Sequence, residues 1–287
     1  DRSTRTIKIS QPGYIEEMID TYNISCSTYP STPMIESPRK PSSDTNPLLN
    51  SHLIELFQSK VGTLLYLANQ TRPDILFAVN MMSRQTKQPT KHDMLAVDRI
   101  LQYVAGTPTL GLTFHSNDGI VLTATVDASY GSHSDRKSHT GLTLHIGKAS
   151  GSFLSRSKKQ TITADSSTVA EFVATHMAAK EIMWARSLLS ELGYPQHGPT
   201  TLFEDNKSTI YMIQNDSHTQ RTKHIDIPYN LIREQVQKKV ISMEHLSTKE
   251  MIYDMLTKAL AHFEYNFEHN FVFIHCSHLR GVAVYGI

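Results

Sequence analysis

The stretch Ile120-Val121-Leu122-Thr123-Ala124-Thr125-Val126-Asp127 decides the fold, and Ala128-Ser129-Tyr130-Gly131 follows it. Its apolar residues recur at every second position, which is the pattern of a strand. The strand ends on a carboxylate, and an isolated carboxylate that is ionised away from water costs several kcal/mol or more. Asp127 therefore either caps the turn that follows, which is ordinary turn chemistry, or is paired or bound to a metal ion.

The residues around this strand predict a sheet and a long helix. Strand patterns occupy Leu110 to Phe114, Ile120 to Asp127, Thr140 to Ile146 and Ser152 to Ser155, and together they predict an antiparallel meander. A long helix follows and ends at Gly193. Its inward stripe is expected to include Ala174, Ala178, Ala185, Leu189, Trp184, Leu188 and Leu192. The order then continues as strand, helix, helix, strand and helix.

Three later acids join Asp127 as candidate ligands, and each has an ordinary structural explanation too. Glu171 fits a capping box with Thr168, Asp205 can cap the helix after the fourth strand, and Asp254 can pair with Lys258 at i+4. Were the four carboxylates to meet at one edge of the sheet, they would repel one another unless cations lay between them. Oxygen-rich sites of this kind suit Mg²⁺ or Mn²⁺.

The residues before the sheet predict a mainly helical region. Apolar residues recur at helical spacing over about residues 53–68, after Thr71-Arg72-Pro73-Asp74, and over about residues 91–105. Basic side chains are expected on the solvated outer face of these helices, namely Arg72, Arg84, Lys87, Lys91 and Arg99.

Composition describes a globular intracellular protein and leaves its partner open. The 287 residues carry 28 Lys and Arg against 27 Asp and Glu, so that any basic surface must be local. The two cysteines, Cys26 and Cys276, are compatible with a reducing compartment. No apolar run approaches the roughly 20 residues that span a bilayer, and we expect no membrane partner. Because the first residue is Asp1, we expect a piece of a longer product.

Seven motifs in order resemble the ribonuclease H domain of copia-type LTR retrotransposon Pol polyproteins. They are Val126-Asp127-Ala128-Ser129-Tyr130-Gly131, Asp135-Arg136-Lys137-Ser138-His139-Thr140-Gly141, Ser155-Arg156-Ser157-Lys158-Lys159-Gln160, Ser166-Ser167-Thr168-Val169-Ala170-Glu171-Phe172, Glu204-Asp205-Asn206-Lys207-Ser208, Arg221-Thr222-Lys223-His224-Ile225-Asp226-Ile227 and Asp254-Met255-Leu256-Thr257-Lys258. Upstream, Val61 to Ala68, Thr71 to Ile75 and Ile100 to Thr107 resemble the region that joins reverse transcriptase to ribonuclease H in the same polyproteins.

This resemblance implies a fold and a division of the chain. The fold is α/β, a ribonuclease H-like mixed five-stranded sheet with flanking helices, preceded by a small mainly helical region. Residues 1–50 form a strand, a helix and a Pro-rich connector, and residues 51–109 are similar to a thumb or connection region. Residues 110–261 form the ribonuclease H-like domain, and residues 262–287 are a tail of unknown structure. The polymerase palm would precede Asp1, so no DNA synthesis is expected from this chain.

The resemblance also implies a reaction and a set of site residues. Asp127, Glu171, Asp205 and Asp254 would hold two Mg²⁺ or Mn²⁺ ions, and the chain would cut the RNA strand of an RNA–DNA hybrid. The residues expected at the nucleic acid are Lys158, Lys159, Asn206, Arg221, Lys223 and His224. The polymerase palm and fingers are the expected partner, normally in the same polyprotein. The expected location is cytoplasmic, in a virus-like particle, or nuclear.

Two other functions stay open from the sequence. The chain could be a catalytically inactive remnant that acts only as a nucleic-acid-binding or connection module, although all four acids are intact. A transposase or integrase on the same fold is less favoured, because of the fourth acid and the hybrid-associated motifs.

Overall fold

A computed structural model describes residues 1–35, 47–116, 119–147, 150–215, 226–247 and 254–260. For residues 226–228 it describes the backbone only. Two hydrophobic cores organise these residues, one among helices near the N-terminus and one between a sheet and its helices.

Four helices form the first core and are called the helical unit below. They are α1 (Pro12–Tyr22), α2 (Ser51–Gln70), α3 (Leu76–Ser83) and α4 (Lys91–Ala105), and a 3₁₀ turn at Pro73–Ile75 leads into α3. The sequence prediction of three amphipathic helices after residue 50 is confirmed. The most deeply buried side chains of the helical unit include Ile15, Phe57, Leu64, Leu67, Ile75, Val79, Val97, Ile100 and Val104.

A buried ion pair closes the helical unit. Arg72 is 0% exposed and Asp74 is 1% exposed, and the Arg72 Nη2 atom donates to Asp74 Oδ2 over 2.8 Å. Arg72 also donates to the carbonyl oxygen of Thr107, and the Tyr103 hydroxyl donates to Asp74 Oδ2. The expectation that Arg72 lies on a solvated basic face is therefore wrong. The Thr-Arg-Pro-Asp motif instead joins the start of α3 to the end of α4.

The second core lies on one face of a five-stranded sheet. Its strands are β3 (Leu122–Ser129), β4 (His139–Ile146), β5 (Ser152–Lys159), β6 (Thr200–Glu204) and β7 (Ile241–His245). The order across the sheet is β5-β4-β3-β6-β7. β3, β4 and β5 pair antiparallel, whereas β6 runs parallel to both β3 and β7. The predicted α/β fold with a mixed five-stranded sheet is confirmed.

One predicted strand belongs elsewhere. The predicted strand from Leu110 to Phe114 is present as β2 (Gly111–His115), but it pairs antiparallel with β1 (Thr6–Ser10) in a separate two-stranded sheet. The four-stranded meander was therefore wrong at its first strand. Strand pairing depends on where the chain returns, and the partner of β2 lies about a hundred residues earlier, outside any local pattern.

Three helices flank the large sheet, namely α5 (Ser167–Glu191), α6 (Lys207–Gln214) and α7 (Asp226–Gln237). α5 packs on the sheet through small residues, chiefly Ala170, Ala174, Ala178 and Ala185, together with Ile182 and Leu189. Trp184, Leu188 and Leu192 are exposed, so their predicted place in the inward stripe was wrong. Among the residues described, no helix combines the length and apolar character needed to cross a membrane.

The described part of the predicted last helix joins the two cores. A 3₁₀ turn covers Asp254–Leu256, and residues 248–253 lie outside the described ranges. Met255, Leu256 and Leu260 are buried in the core of the helical unit. The next residue after the turn, Thr257, contacts the end of β3, where its hydroxyl meets Asp127. This short segment therefore packs in the helical unit and also contacts the five-stranded sheet.

The buried ion pair gives a stability prediction. Replacing Asp74→Ala leaves the Arg72 guanidinium buried without its carboxylate, so we expect the free energy of unfolding to fall by about 3–5 kcal/mol. Urea unfolding measures this change. As a control, Glu234→Gln breaks only an exposed i,i+4 pair with Lys238 and should cost less than about 0.5 kcal/mol. Equal small losses in both variants would contradict a stabilising role for Asp74.

Candidate metal centre at the sheet edge

Asp127 and Asp205 reach the same edge because their strands are parallel. Thr125 of β3 pairs with Phe203 of β6, and two residues further along each strand direction come Asp127 and Asp205. The carboxyl ends of parallel neighbours lie side by side at one sheet edge. Asp127 is 8% exposed, and its Oδ2 atom accepts a 2.5 Å hydrogen bond from the Thr257 hydroxyl.

Capping does not explain Asp205. α6 is capped by Asn206, whose Oδ1 atom accepts a 3.0 Å hydrogen bond from the backbone N–H of Thr209. Asn206 therefore performs the capping role that the sequence offered for Asp205. Its side-chain oxygen accepts the hydrogen bond of this cap.

Glu171 is not the capping-box residue that its spacing with Thr168 suggests. α5 begins two residues earlier than that capping box requires, and its N-cap is Ser166, whose hydroxyl oxygen accepts a 3.3 Å hydrogen bond from the Val169 N–H. Glu171 lies beyond the first turn and is 6% exposed. Its Oε2 atom is buried and has no hydrogen-bond partner within the described residues. A buried carboxylate oxygen without a partner is costly unless something binds to it.

The structure brings three of the four expected ligands together. Asp127, Glu171 and Asp205 each offer a carboxylate oxygen, and these oxygens lie within 4.8 Å of one another. A divalent ion between them would sit within coordination distance of hard oxygen ligands, which is the donor set that Mg²⁺ and Mn²⁺ prefer. The donor set and the unpartnered Glu171 oxygen both fit such an ion.

Burial and mutual repulsion perturb the acids strongly. Burial, with the neighbouring charge of Asp254, raises the pKa of Asp127 to about 7. Burial, with the charges of Glu204 and Asp127, raises the pKa of Glu171 to about 11. Carboxyls held this close together in a low-dielectric site cannot all ionise unless cations compensate them. The protein alone therefore favours protonated acids at this edge.

Asp254 is near the centre but is not one of the three converging side chains. Its carboxylate forms the predicted ion pair with Lys258, which therefore accounts for part of its position. Its negative charge nevertheless contributes to the raised pKa of Asp127. The 3₁₀ turn thus holds Asp254 beside the site, with Lys258 beside it.

Sequence reasoning missed Glu204 as a neighbour of the site. Glu204 is 0% exposed; its Oε1 atom accepts from the Asn206 N–H over 3.1 Å, and its Oε2 atom lies 3.0 Å from the Thr175 hydroxyl. Burial raises the pKa of Glu204 to about 8. The signal was present in the alternation of β6, where Leu202 faces the core and Glu204 follows two residues later on the same face.

The expected nucleic-acid residues are only partly within the described ranges. Lys158 is exposed at the end of β5, whereas Lys159 forms a 2.6 Å ion pair with Asp135. Arg221, Lys223 and His224 lie outside the described residues.

Comparison with known proteins identifies the family. The chain is 35% identical to the retrovirus-related Pol polyprotein from transposon RE1 of Arabidopsis thaliana over 256 residues, which is 89% of this chain and 17% of that protein. It is 34% identical to the Pol polyprotein from transposon TNT 1-94 of Nicotiana tabacum, over 91% of this chain and 20% of that protein. The chain belongs to the Pol polyproteins of copia-type retrotransposons. No protein-family model matches it.

This Pol polyprotein sequence spans about a fifth of the length of these relatives. Among solved structures, a ribonuclease H1 isolated from compost aligns with a TM-score of 0.38 and 12% identity, over 48% of this chain and 93% of that chain. A foamy viral protease-reverse transcriptase in complex with double-stranded DNA aligns with a TM-score of 0.34 and 15% identity, over 49% of this chain and 92% of that chain.

The raised pKa values predict how stability depends on pH and metal. Between about pH 7 and about pH 9 the folded protein keeps protons on Glu171 that the unfolded chain has lost, so stability should fall as pH rises. In metal-free buffer we expect the melting temperature to fall over this window, and Glu171→Gln should reduce that fall. Adding Mg²⁺ or Mn²⁺ should raise the melting temperature more at the higher pH.

The matched control is Glu191→Gln, an exposed acid at the end of the same helix. Its pH dependence should equal that of the unmodified protein. If Glu171→Gln behaved in the same way as this control, Glu171 would not be a buried proton-binding group.

Proposed function

We propose that this chain is a metal-dependent endonuclease that hydrolyses the RNA strand of RNA–DNA hybrids within a retrotransposon Pol polyprotein. The observation that carries this proposal is the convergence of Asp127, Glu171 and Asp205 at the carboxyl edge of the sheet, with one oxygen of Glu171 unpartnered. The coarser inference, a ribonuclease H-type role in a retrotransposon, is supported by the sheet order and by the named Pol relatives. The expected products carry 3′-hydroxyl and 5′-phosphate ends.

The described side chains suggest how the two ions would be held. Asp127, Glu171 and Asp205 would hold the ions, and Asp254 lies close enough for its charge to affect Asp127. When bound, a pair of divalent ions would supply an activated water and stabilise the leaving oxygen of an in-line displacement at phosphorus. The protein fixes the carboxylates, since Thr257 holds Asp127 and the α6 cap fixes the backbone beside Asp205.

We expect Lys158, which is exposed near the end of β5, to contact a phosphate. Asp127 pairs with Gly141 on β4, and Gly141 pairs with Ser157 on β5, the residue before Lys158. Two strand spacings separate β3 from β5, or about 10 Å, which puts Lys158 on the same edge as the acids. Lysines at such a distance contact phosphates away from the cleaved bond and position the nucleic acid. For Lys223, Arg221 and His224 the same role stays a prediction from sequence.

The inactive-module alternative is less economical. A connection module would need none of the acids, yet this chain keeps Asp127, Glu171 and Glu204 buried with raised pKa values. Buried carboxyls packed together destabilise a fold. Sites that bind cations or substrates are where such a cost is commonly retained.

The context of the reaction follows from the family. We place residues 51–109 as a connection region and residues 110–261 as the ribonuclease H-like domain, with a polymerase palm and fingers as partner in the same polyprotein. An intracellular particle that contains the element's RNA and its DNA copy is the expected location.

Removing one ligand tests the proposed reaction. Asp127→Asn preserves shape but removes the central negative charge, so several kcal/mol of transition-state stabilisation should be lost and cleavage should fall at least about 100-fold. The measurement is cleavage of labelled RNA in a hybrid with Mg²⁺ or Mn²⁺, beside double-stranded RNA and DNA. The control Asp165→Asn, an exposed acid before α5, should cleave normally. No metal-dependent cleavage, or equal cleavage by Asp127→Asn, would refute the proposal.

The phosphate contact of Lys158 is tested by salt dependence. In the Asp127→Asn background the hybrid stays uncut, and adding Lys158→Ala should weaken binding and reduce the slope of log affinity against log salt by about 1. Lys238→Ala, on an exposed helix end, is the control and should leave the slope unchanged. An unchanged slope for Lys158→Ala would show that this lysine contacts no phosphate.

A further inference from the structure

Two of the family motifs contain buried polar residues that the proposed reaction does not use. His139 in the Asp-Arg-Lys-Ser-His-Thr-Gly motif and Ser157 in the Ser-Arg-Ser-Lys-Lys-Gln motif are both buried. The His139 Nε2 atom lies 2.8 Å from the Ser157 hydroxyl oxygen, and that hydroxyl donates to the carbonyl oxygen of Leu256 over 2.7 Å. These contacts connect the sheet to the segment that carries Asp254.

Successive hydrogen bonds link Arg84, His133, His139, Ser157 and the carbonyl group of Leu256. Because the single Ser157 proton goes to Leu256, the His139 Nε2 atom must be the donor to Ser157, and its Nδ1 atom is then an acceptor. The His133 Nε2 atom lies 3.0 Å from that Nδ1. Arg84 reaches both rings, since its Nη1 atom lies 3.1 Å from His133 Nδ1 and its Nη2 atom lies 3.5 Å from His139 Nδ1. The assignment of His139 requires a neutral ring, and burial with the nearby Arg84 charge lowers the pKa of His139 to about 2.

The chain of hydrogen bonds begins in the helical unit. Arg84 directly follows α3, and two α3 residues hold the same strands from the side. Asn80 donates from Nδ2 to the Ser157 carbonyl oxygen over 2.9 Å, and the Phe77 ring meets the His139 ring edge-on at a 5.0 Å centroid separation. The polar chain therefore links helix α3 to the carbonyl of Leu256, across two strands of the sheet.

The hydrogen-bonded series ends at Leu256, next to a residue that contacts the acidic site. Thr257 follows Leu256 and donates to Asp127 Oδ2 over 2.5 Å. The segment also lies directly on β4, since a Cβ atom at Gly141 would come within 2.7 Å of Thr257 Cγ2 and 2.9 Å of Leu256 Cβ. A shift of this segment would therefore move both Asp254 and the hydroxyl that orients Asp127.

We propose that Arg84, His133, His139 and Ser157 are positioning residues that hold the segment from Asp254 to Thr257 in place, so that the helical unit sets the metal affinity of the acidic site. This inference rests on the proposed function. Replacing a residue that orients a metal ligand through a hydrogen bond typically lowers metal affinity by about 10- to 100-fold. The contribution reaches the site through Thr257 and Asp254, and none of the four residues touches the nucleic acid.

The direct test is Mn²⁺ binding measured by calorimetry, which does not depend on cleavage, with the Mn²⁺ requirement for hybrid cleavage measured beside it. Arg84→Met keeps the side chain's length but removes the donor that starts the chain, and Ser157→Ala removes the donor to Leu256. Each should weaken Mn²⁺ binding by about tenfold and raise the half-saturating Mn²⁺ concentration equally. Thr257→Val should do the same, and Thr257→Ser, which keeps the hydroxyl, should restore the affinity.

The matched control is Arg99→Met. Arg99 is another partly buried arginine of the helical unit, and its Nη2 atom donates to the Thr32 hydroxyl oxygen and not to a residue of the hydrogen-bonded series. Its Mn²⁺ affinity should equal that of the unmodified protein, and near-ultraviolet circular dichroism checks that each variant is folded at the temperature of the titration. Should Arg84→Met fail to fold, the Mn²⁺ affinities of Ser157→Ala, Thr257→Val and Thr257→Ser test the inference.

The outcomes separate the two proposals. Normal Mn²⁺ binding by the unmodified protein, with unchanged affinity in the folded Arg84→Met and Ser157→Ala variants, would overturn this inference and leave the proposed function intact. Absence of Mn²⁺ binding by the unmodified protein would remove the proposed function and this inference with it. Loss of affinity in Arg99→Met equal to that in Arg84→Met would also overturn the inference, because the effect would then be general.

Discussion

Repulsion among buried carboxylates is the constraint on which the rest of this structure depends. Asp127, Glu171 and Asp205 bring their oxygens within 4.8 Å of one another at a sheet edge, and Glu204 is buried beside them. Burial and neighbouring charge raise the pKa values of Asp127, Glu171 and Glu204. The fold must therefore supply rigidity from elsewhere, and it does so through parallel strands, a helix cap and the packed segment that ends at Thr257.

The helical unit takes part in this support. Its own core is closed by the Arg72–Asp74 pair, and its α3 helix faces β5 and the segment after residue 253. Leu256 belongs to the hydrophobic core of the helical unit, while its carbonyl accepts from Ser157 of the sheet. This arrangement gives a physical reason for the helical unit and the five-stranded sheet to occur together.

Local patterns in the sequence predicted most of the secondary structure, and the motifs predicted the acids. The alternation before Asp127 and the helical spacing of residues 53–105 are local signals, and the elements appear where expected. The predictions from sequence were wrong where the environment of a residue depends on contacts with distant parts of the chain. Arg72 looks like a surface charge until Asp74 and Thr107 surround it, and β2 finds its partner at Thr6–Ser10. Glu171 was indistinguishable from a capping residue until Ser166 was seen to cap the helix.

The most direct measurement is a crystal structure of the chain with Mn²⁺ and the anomalous signal of that ion recorded. The account predicts ion density at the carboxylates of Asp127, Glu171 and Asp205. A partner for the buried Glu171 oxygen would then be visible. An ordered site with these three side chains in place, no ion among them at saturating Mn²⁺ and density only at surface acids would contradict it.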